Sequence, residues 1–508
     1  MWARRLERVP EAPGRHGGRA KLRRRCALLV AAGTVAGAAA ALPAAEAALP
    51  DAAGTRLELF RGFNAPGLSA ADNESVGDPP DPSGSVSRLH YVEVVNARIA
   101  VYERERLRRP VADMNATAFW GAEDSTVVDP QIAWDDRAGR WYYVMLRNRP
   151  NANSIFFAWS KSADPSDLDG GWCRMEIPSG VLFDDFPRLG FSAAHVLIAT
   201  NVFDVETRRF KFARVWAIAK PGGDAATCEP PALKAFGSER RPLREADGRR
   251  AVTPVPVVPV EQSRRGFIVA ADCIEEEEKG GAEQTCQRRQ PRGRQITVWH
   301  VSGAPDNPRL VRDGGIAVPG FRVPDPVPQP GTDRRLDASD TRLTQAVSNS
   351  RPTGGAPLIW TQHAVAGAGG RSVVRWYALD PRRLSVVDRG VIRKRRNWVF
   401  NAAVSPTRSG RAAIVNYNVG GPQLLPQVRA RIAGSKAGGE HTLGRSFAAN
   451  RLCDRDDPFC PWGDYAGASP DPLEANVVWG SNQTMAPRRQ HDMFGSHWAT
   501  RNFALRAR

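Results

Sequence analysis

From residue 56 onward the chain alternates short apolar runs with polar breaks rich in Gly, Pro, Asn and Asp. That is the pattern of strands joined by turns. The clearest unit is Asp129-Pro-Gln-Ile-Ala-Trp-Asp-Asp-Arg-Ala-Gly-Arg-Trp141, running on into Tyr142-Tyr-Val-Met-Leu146. A strand, a polar turn around Gly139 and a second, aromatic and β-branched strand make a β-hairpin. Looser versions recur, beginning near Asp81, Asp185, Thr253, Asp340, Asn401 and Asp464. Some strands, such as Val196-Leu-Ile-Ala199 and Phe267-Ile-Val-Ala-Ala271, are apolar throughout, which predicts sheets covered on both faces. No amphipathic helix of three turns is evident after residue 50.

A unit of three or four short strands cannot bury both faces alone, whereas a radial arrangement packs each sheet against its neighbours. The prediction is an all-β protein, a β-propeller of seven blades. A six-bladed propeller, or a β-sandwich beside a smaller propeller, is the alternative. The units are unevenly spaced, and the excess falls in two insertions near 275–294 and 321–337. The first is highly charged and the second rich in Pro, so neither is expected in the core. The propeller is assigned to residues 81–508, and 48–80 form an N-terminal segment and linker. Within that linker Arg56–Phe60 is a candidate ring-closing strand against residues 498–505.

The start of the chain changes the compartment. Met1–Arg25 is basic, Cys26–Leu42 is uncharged and rich in Ala, Gly, Leu and Val, and Ala45-Glu46-Ala47 offers a small-residue cleavage site. Residues 1–47 therefore read as an export signal, by the general or the twin-arginine route. Cleavage makes the protein secreted, with no transmembrane domain, and an uncleaved segment would anchor it at the cell surface. Whole-chain net charge is +17, but residues 1–47 carry nine Lys/Arg against three Asp/Glu. The remaining +11 is spread Arg without a dense Lys/Arg run interleaved with aromatics, so no nucleic-acid partner is expected. Six cysteines follow the signal, an even number suited to three disulfides in an exported chain. Neighbour pairing gives Cys173–Cys228, Cys273–Cys286 and Cys453–Cys460.

Candidate chemistry lies where the units begin. In a propeller the innermost strands line a central channel, so Asp81, Asp129, Asp185, Asp340, Asn401 and Asp464 would converge at one mouth. Converging carboxylates bind a cation, hydrogen-bond sugar hydroxyls, or divide into an acid and a base. Turn formation with the local backbone is the competing explanation for each. Arg188 and Arg342 follow two of these aspartates and would supply arms of a carboxylate or sulfate clamp, or pair with the aspartates themselves. The acidic loop holding Asp454, Asp456 and Asp457 between two cysteines has the hard oxygen donors that suit calcium. Motifs for a P-loop, a zinc hydrolase or a serine hydrolase elbow are missing.

Gly84-Ser-Val-Ser-Arg-Leu-His-Tyr-Val-Glu-Val-Val-Asn96, Asp129–Asp135 with Arg140-Trp141, Ser162-Ala-Asp-Pro165 with Gly171-Trp172, and Trp462-Gly-Asp-Tyr465 resemble exported bacterial sialidase-like (BNR-repeat) propeller proteins. The resemblance covers roughly residues 78–505. It implies a propeller, export and, for an active member, an arginine triad, a Tyr–Glu nucleophile pair and an Asp acid/base. Tyr465 would be the tyrosine, without an identifiable Glu partner. Asp129, Asp185 and Asp464 are the candidate catalytic carboxylates. Ser166-Asp-Leu-Asp-Gly-Gly-Trp172 is a degenerate Asp-box, and no second copy matches. These features together point to a secreted, monomeric propeller that binds extracellular glycan or cell-envelope polymer. A sialidase-like glycoside hydrolase is the alternative. Six tryptophans (Trp120, Trp134, Trp141, Trp172, Trp360, Trp398) could stack on sugar rings or pack between sheets.

Overall fold

The computed structural model describes residues 55–72, 78–149, 153–222, 227–272, 293–352, 354, 356–434, 439–451, 453, 459–487 and 497–508. Four-stranded antiparallel meanders follow one another along these residues. The first comprises Ser83–Val86, His90–Val95, Arg98–Glu103 and Ala112–Asn115, and the second Thr126–Asp135, Arg140–Asn148, Asn153–Ser160 and Trp172–Gly180. The third runs from Leu182–Phe191 to Leu233–Phe236, and the fourth from Val255–Pro256 to Asn307–Phe321. The fifth runs from Ala346–Asn349 to Ser385–Ile392 and the sixth from Trp398–Pro406 to His441–Arg445. The seventh joins Gly467–Pro470, Val477–Met485 and Trp498–Ala507 to the N-terminal strand Leu57–Ser69.

Except between the fourth and fifth sheets, the opening strand of each sheet touches the opening strands of its neighbours, and that of the first sheet touches that of the seventh. Between the fourth and fifth sheets the short strand Val258–Pro259 bridges by pairing in parallel with Ala346–Asn349. A closed ring of radial sheets around inner strands is a β-propeller.

Strand alternation explains why the ring is stable. In the first sheet Tyr91 and Val95 point into the core shared with the seventh sheet, while Val92 and Val94 point into the core shared with the second. In the third sheet Val196 and Ile198 face the second, and Leu197 and Ala199 face the fourth. These sheets are thus buried on both faces, and in the third the apolar run of the second strand predicts it. The tryptophans serve this packing. Trp120, Trp134, Trp141, Trp172 and Trp360 are buried, and Trp398 is half-buried. Among the described residues the α-helix is the single short Ala116–Trp120.

One expectation is overturned. The segment 321–337 is not a solvated insertion: Val327–Pro328 and Arg335–Leu336 form a small sheet with Phe459–Cys460. Val327 and Leu336 are fully buried in the core between the seventh and first sheets. Single apolar residues spaced among prolines suffice to anchor a Pro-rich crossing. The disulfides Cys173–Cys228 and Cys453–Cys460 form as expected. Cys273–Cys286, most of the insertion near 275–294, and Asp454, Asp456 and Asp457 lie outside the described residues.

Candidate functional site at the channel mouth

The chain enters its inner strands through an unusual backbone. Asp81 (φ 47°), Asp129 (φ 59°), Phe186 (φ 55°), Thr253 (φ 49°), Thr341 (φ 77°) and Asn401 (φ 44°) occupy the left-handed region, which disfavours side chains with a Cβ. Register shifts accompany three of them, between Val128 and Gln131, Asp185 and Arg188, and Phe400 and Ala403. Asparagines of the preceding sheet, Asn96 just past the end of its second strand and Asn201 within its second strand, fix the turn. Asn96 Oδ1 accepts the Asp129 N–H at 2.7 Å, and Asn201 Oδ1 accepts the Thr253 N–H at 2.7 Å. Strain of this kind persists only where the surroundings over-determine it, and it concentrates at sites of function.

The consequence is a crowd of carboxyl groups. One carboxylate oxygen from each of Asp81, Asp129 and Asp464 lies within 4.8 Å of the others. Asp81 is held by Asn96 Nδ2 at 2.8 Å and by the Asp464 N–H at 2.6 Å. Burial, then the charges of Asp464 and Asp129, push the Asp81 carboxyl well above its ordinary value. Burial, followed by Asp185 and Asp464, raises Asp129 to about 7, with Arg188 pulling the other way. Burial and then Asp464 raise Asp337 to about 6. Asp340 behaves oppositely. Burial pushes it up, but Arg342, bound through both oxygens at 2.7 and 2.5 Å, outweighs that and holds it below the ordinary carboxylate value. Carboxyls of split acidity therefore share one mouth.

Asp81, Asp129, Asp185, Asp340, Asp464, Arg188 and Arg342 accordingly come together, by direct contact or through mutual electrostatic influence. Asn401 does not join them. Its side-chain amide donates to Asn418 and Asn482 and knits the sixth sheet to the seventh. Tyr465 is close but poorly prepared as a nucleophile. Its hydroxyl donates to the Pro130 carbonyl at 3.0 Å, and burial pushes the phenol well above its ordinary value. Arg342 is committed to Asp340, whereas Arg188 is buried, packed against Phe186 and Tyr465, and leaves two nitrogens unpartnered. Below the carboxyls the inner strands enclose a cavity of about 40 Å³, lined by Arg188, Gln345, Ser83 and Ser85 among others.

Asp337 and Phe186 escape a sequence reading keyed to unit starts. The close spacing in Asp337-Ala-Ser-Asp340 is the signal that could have found Asp337, whereas nothing in the sequence distinguishes Phe186 from a core aromatic. The degenerate Asp-box is a structural turn: Asp167 Oδ1 accepts the Gly170 N–H, and Trp172 Nε1 donates to the Pro165 carbonyl. Among the described residues, Asp81, Asp129 and Asp464 are the set able to hold a hard cation.

No protein-family model and no curated protein sequence matches the chain. Among solved structures, the parainfluenza virus 5 hemagglutinin-neuraminidase aligns at 10% identity with a TM-score of 0.36, over 75% of this chain and 94% of that one. Trypanosoma rangeli sialidase aligns at 9% identity with a TM-score of 0.34, over 74% of this chain and 59% of that one. An exo-1,5-α-L-arabinanase from a bovine ruminal metagenomic library aligns at 10% identity with a TM-score of 0.31, over 59% of this chain and 93% of that one. Likenesses of this size carry no argument about chemistry. The propeller architecture expected from the resemblance is the one found, and the sheet topology carries it.

Proposed function

We propose that this is an exported propeller of seven blades, one per sheet, that binds an extracellular glycan or cell-envelope polymer at its acidic channel mouth. The observation that carries the reading is the convergence of Asp81, Asp129 and Asp464 within 4.8 Å, although their crowding opposes ionisation. A fold gains nothing from such repulsion, so a ligand is the natural beneficiary. Carboxyls in mixed protonation states both donate to and accept from sugar hydroxyls. Two disulfides suit an oxidising compartment. No helix among the described residues is long and apolar enough to cross a membrane. The protein acts as a monomer on this reading.

Hydrolysis is the second reading, and one observation favours it. Asp129, raised to about 7, stands in the same cluster as Asp340, which Arg342 keeps ionised. An acid and a base with separated pKa values are what glycoside hydrolysis requires. Binding remains ahead because Tyr465 hydrogen-bonds a backbone carbonyl and is not acidified. A glycan array and a panel of fluorogenic glycosides, run on the wild type and on Asp129→Asn and Asp464→Asn, separate the two. Glycan capture without turnover, weakened at least tenfold in both variants, is expected. Turnover that either variant abolishes would replace binding with hydrolysis, and capture unchanged in both would move the site elsewhere.

A further inference from the structure

Arg188 is the most exacting side chain of the channel. It lies on the inner strand of the third sheet and is 1% exposed. Two aromatic rings pack against its planar guanidinium, with the central carbon 3.9 Å from the Phe186 ring centroid and 3.8 Å from that of Tyr465, and the rings meet each other edge to face. Hydrogen bonds to a guanidinium form in its plane, where its N–H groups lie. On that rim Nη1 donates to the Thr344 carbonyl at 3.4 Å, while Nε and Nη2 have no hydrogen-bond partner. Those two N–H groups form the edge that takes a single acceptor, or a pair, in fork geometry. Guanidinium stays charged at every relevant pH, so a desolvated, unpaired edge is costly.

The channel limits what can answer it. Arg188 and Gln345 line the same cavity of about 40 Å³. A water needs roughly 10–15 Å³ by this measure, so the space takes about three water-sized occupants and no sugar ring. Gln345 Nε2 is engaged by the Ala468 carbonyl, and its Oε1 is buried without a partner. From these observations we infer that Arg188 holds a small monovalent anion of chloride size in the central channel, beneath the carboxyl cluster. The anion accepts from Nε and Nη2 together, and a water beside it donates to the anion and to Gln345 Oε1. Held there, it screens Arg188 from Asp129, the carboxyl that Arg188 otherwise helps to ionise. The site is independent of whether the mouth above it binds glycan.

Bromide replaces chloride in the test. Crystals of the full chain grown in sodium bromide and measured at the bromine absorption edge are expected to show an anomalous peak within hydrogen-bond reach of Arg188 Nε and Nη2. In solution, chloride or bromide in place of gluconate at equal ionic strength is expected to raise Tm by about 2 °C. Arg188→Lys keeps the charge but loses the fork, and is expected to abolish that rise. If the variant does not fold, the wild-type halide-against-gluconate comparison decides alone. A channel without a bromine peak overturns the proposal. So does a peak with no halide-specific Tm rise, which would mark an adventitious ion only.

Discussion

Asp129 illustrates how one residue links fold to function. Its backbone is forced left-handed, Asn96 fixes its N–H, and its carboxyl faces Asp464 and Asp185. Raised to about 7, it keeps a proton in the folded state that an unfolded chain releases near pH 4. Between those values the native state binds more protons, so stability falls as pH rises and the full penalty stands above pH 7. Asp337, raised to about 6, acts in the same direction over a narrower window. Asp340, held low by Arg342, contributes stability that is lost only on acidification through and below the ordinary carboxylate range. Scanning calorimetry from pH 5 to 8 is therefore expected to show a falling Tm. Asp129→Asn removes an ionisation worth up to about 4 kcal/mol, so it should flatten that fall and raise Tm at pH 8 by a few degrees. A wild-type Tm independent of pH over this range would show that the carboxyl cluster is not under strain.

At the scale of elements, neighbouring sheets are fastened by buried charge as well as by apolar contact. Arg104, where the first sheet's third strand ends, reaches Asp471 of the seventh at 2.6 Å, with both side chains nearly inaccessible. Asp471 also accepts Trp479 Nε1 and the Leu473 and Glu474 amides, each at 2.7 Å. Arg104→Met leaves this carboxylate buried without its counter-charge, and a loss of about 3–5 kcal/mol is expected in urea unfolding. Arg88→Ala breaks an exposed pair with Asp136 and should cost less than about 1 kcal/mol. Equal losses would refute the distinction. The second strands of the second, third and fourth sheets are legible in the sequence because burial on both faces leaves a hydrophobic run there. The inner strands are less so. At Asp129 the pairing passes from Val128–Leu146 to Gln131–Val144, and no residue pattern announces that slip, which decides which side chains face the channel. The aspartates can be placed at one mouth from their positions at unit starts, but the binding of Tyr465 to Pro130, 335 residues away in sequence, cannot. The Pro-rich 321–337 segment defeats a sequence reading for a related reason: its buried residues are isolated and anchored by a distant strand around Cys460.

Closure is a property of the whole molecule. The strand Leu57–Ser69 pairs antiparallel with Trp498–Ala507, and Arg56 and Arg508 exchange backbone hydrogen bonds at 2.7 and 2.9 Å. Leu57, Phe60, Ala65 and Leu68 are buried on this strand. Phe60 and Leu68 enter the core that joins the seventh sheet to the first, while Leu57 enters the one that joins it to the sixth. The strand thus completes a sheet and contributes to the cores on both sides of it. Burying Leu57, Phe60 and Leu68 stabilises by about 1.5–3 kcal/mol each, a sum comparable with the whole stability of a typical domain, about 5–15 kcal/mol. Deleting residues 55–69 would also expose the backbone edge of Trp498–Ala507, a template for pairing with another chain. The truncated protein is expected to lose its cooperative unfolding transition and to elute as aggregate in size-exclusion chromatography. Supplying residues 55–69 as a separate peptide should restore a monomeric, cooperatively unfolding species, because the missing interactions are those of one strand with a preformed edge. A monomer with unaltered Tm after the deletion would mean that the ring holds without its terminal strand. The carboxyl mouth, whose strain depends on the inner strands being held in register, would then owe nothing to closure.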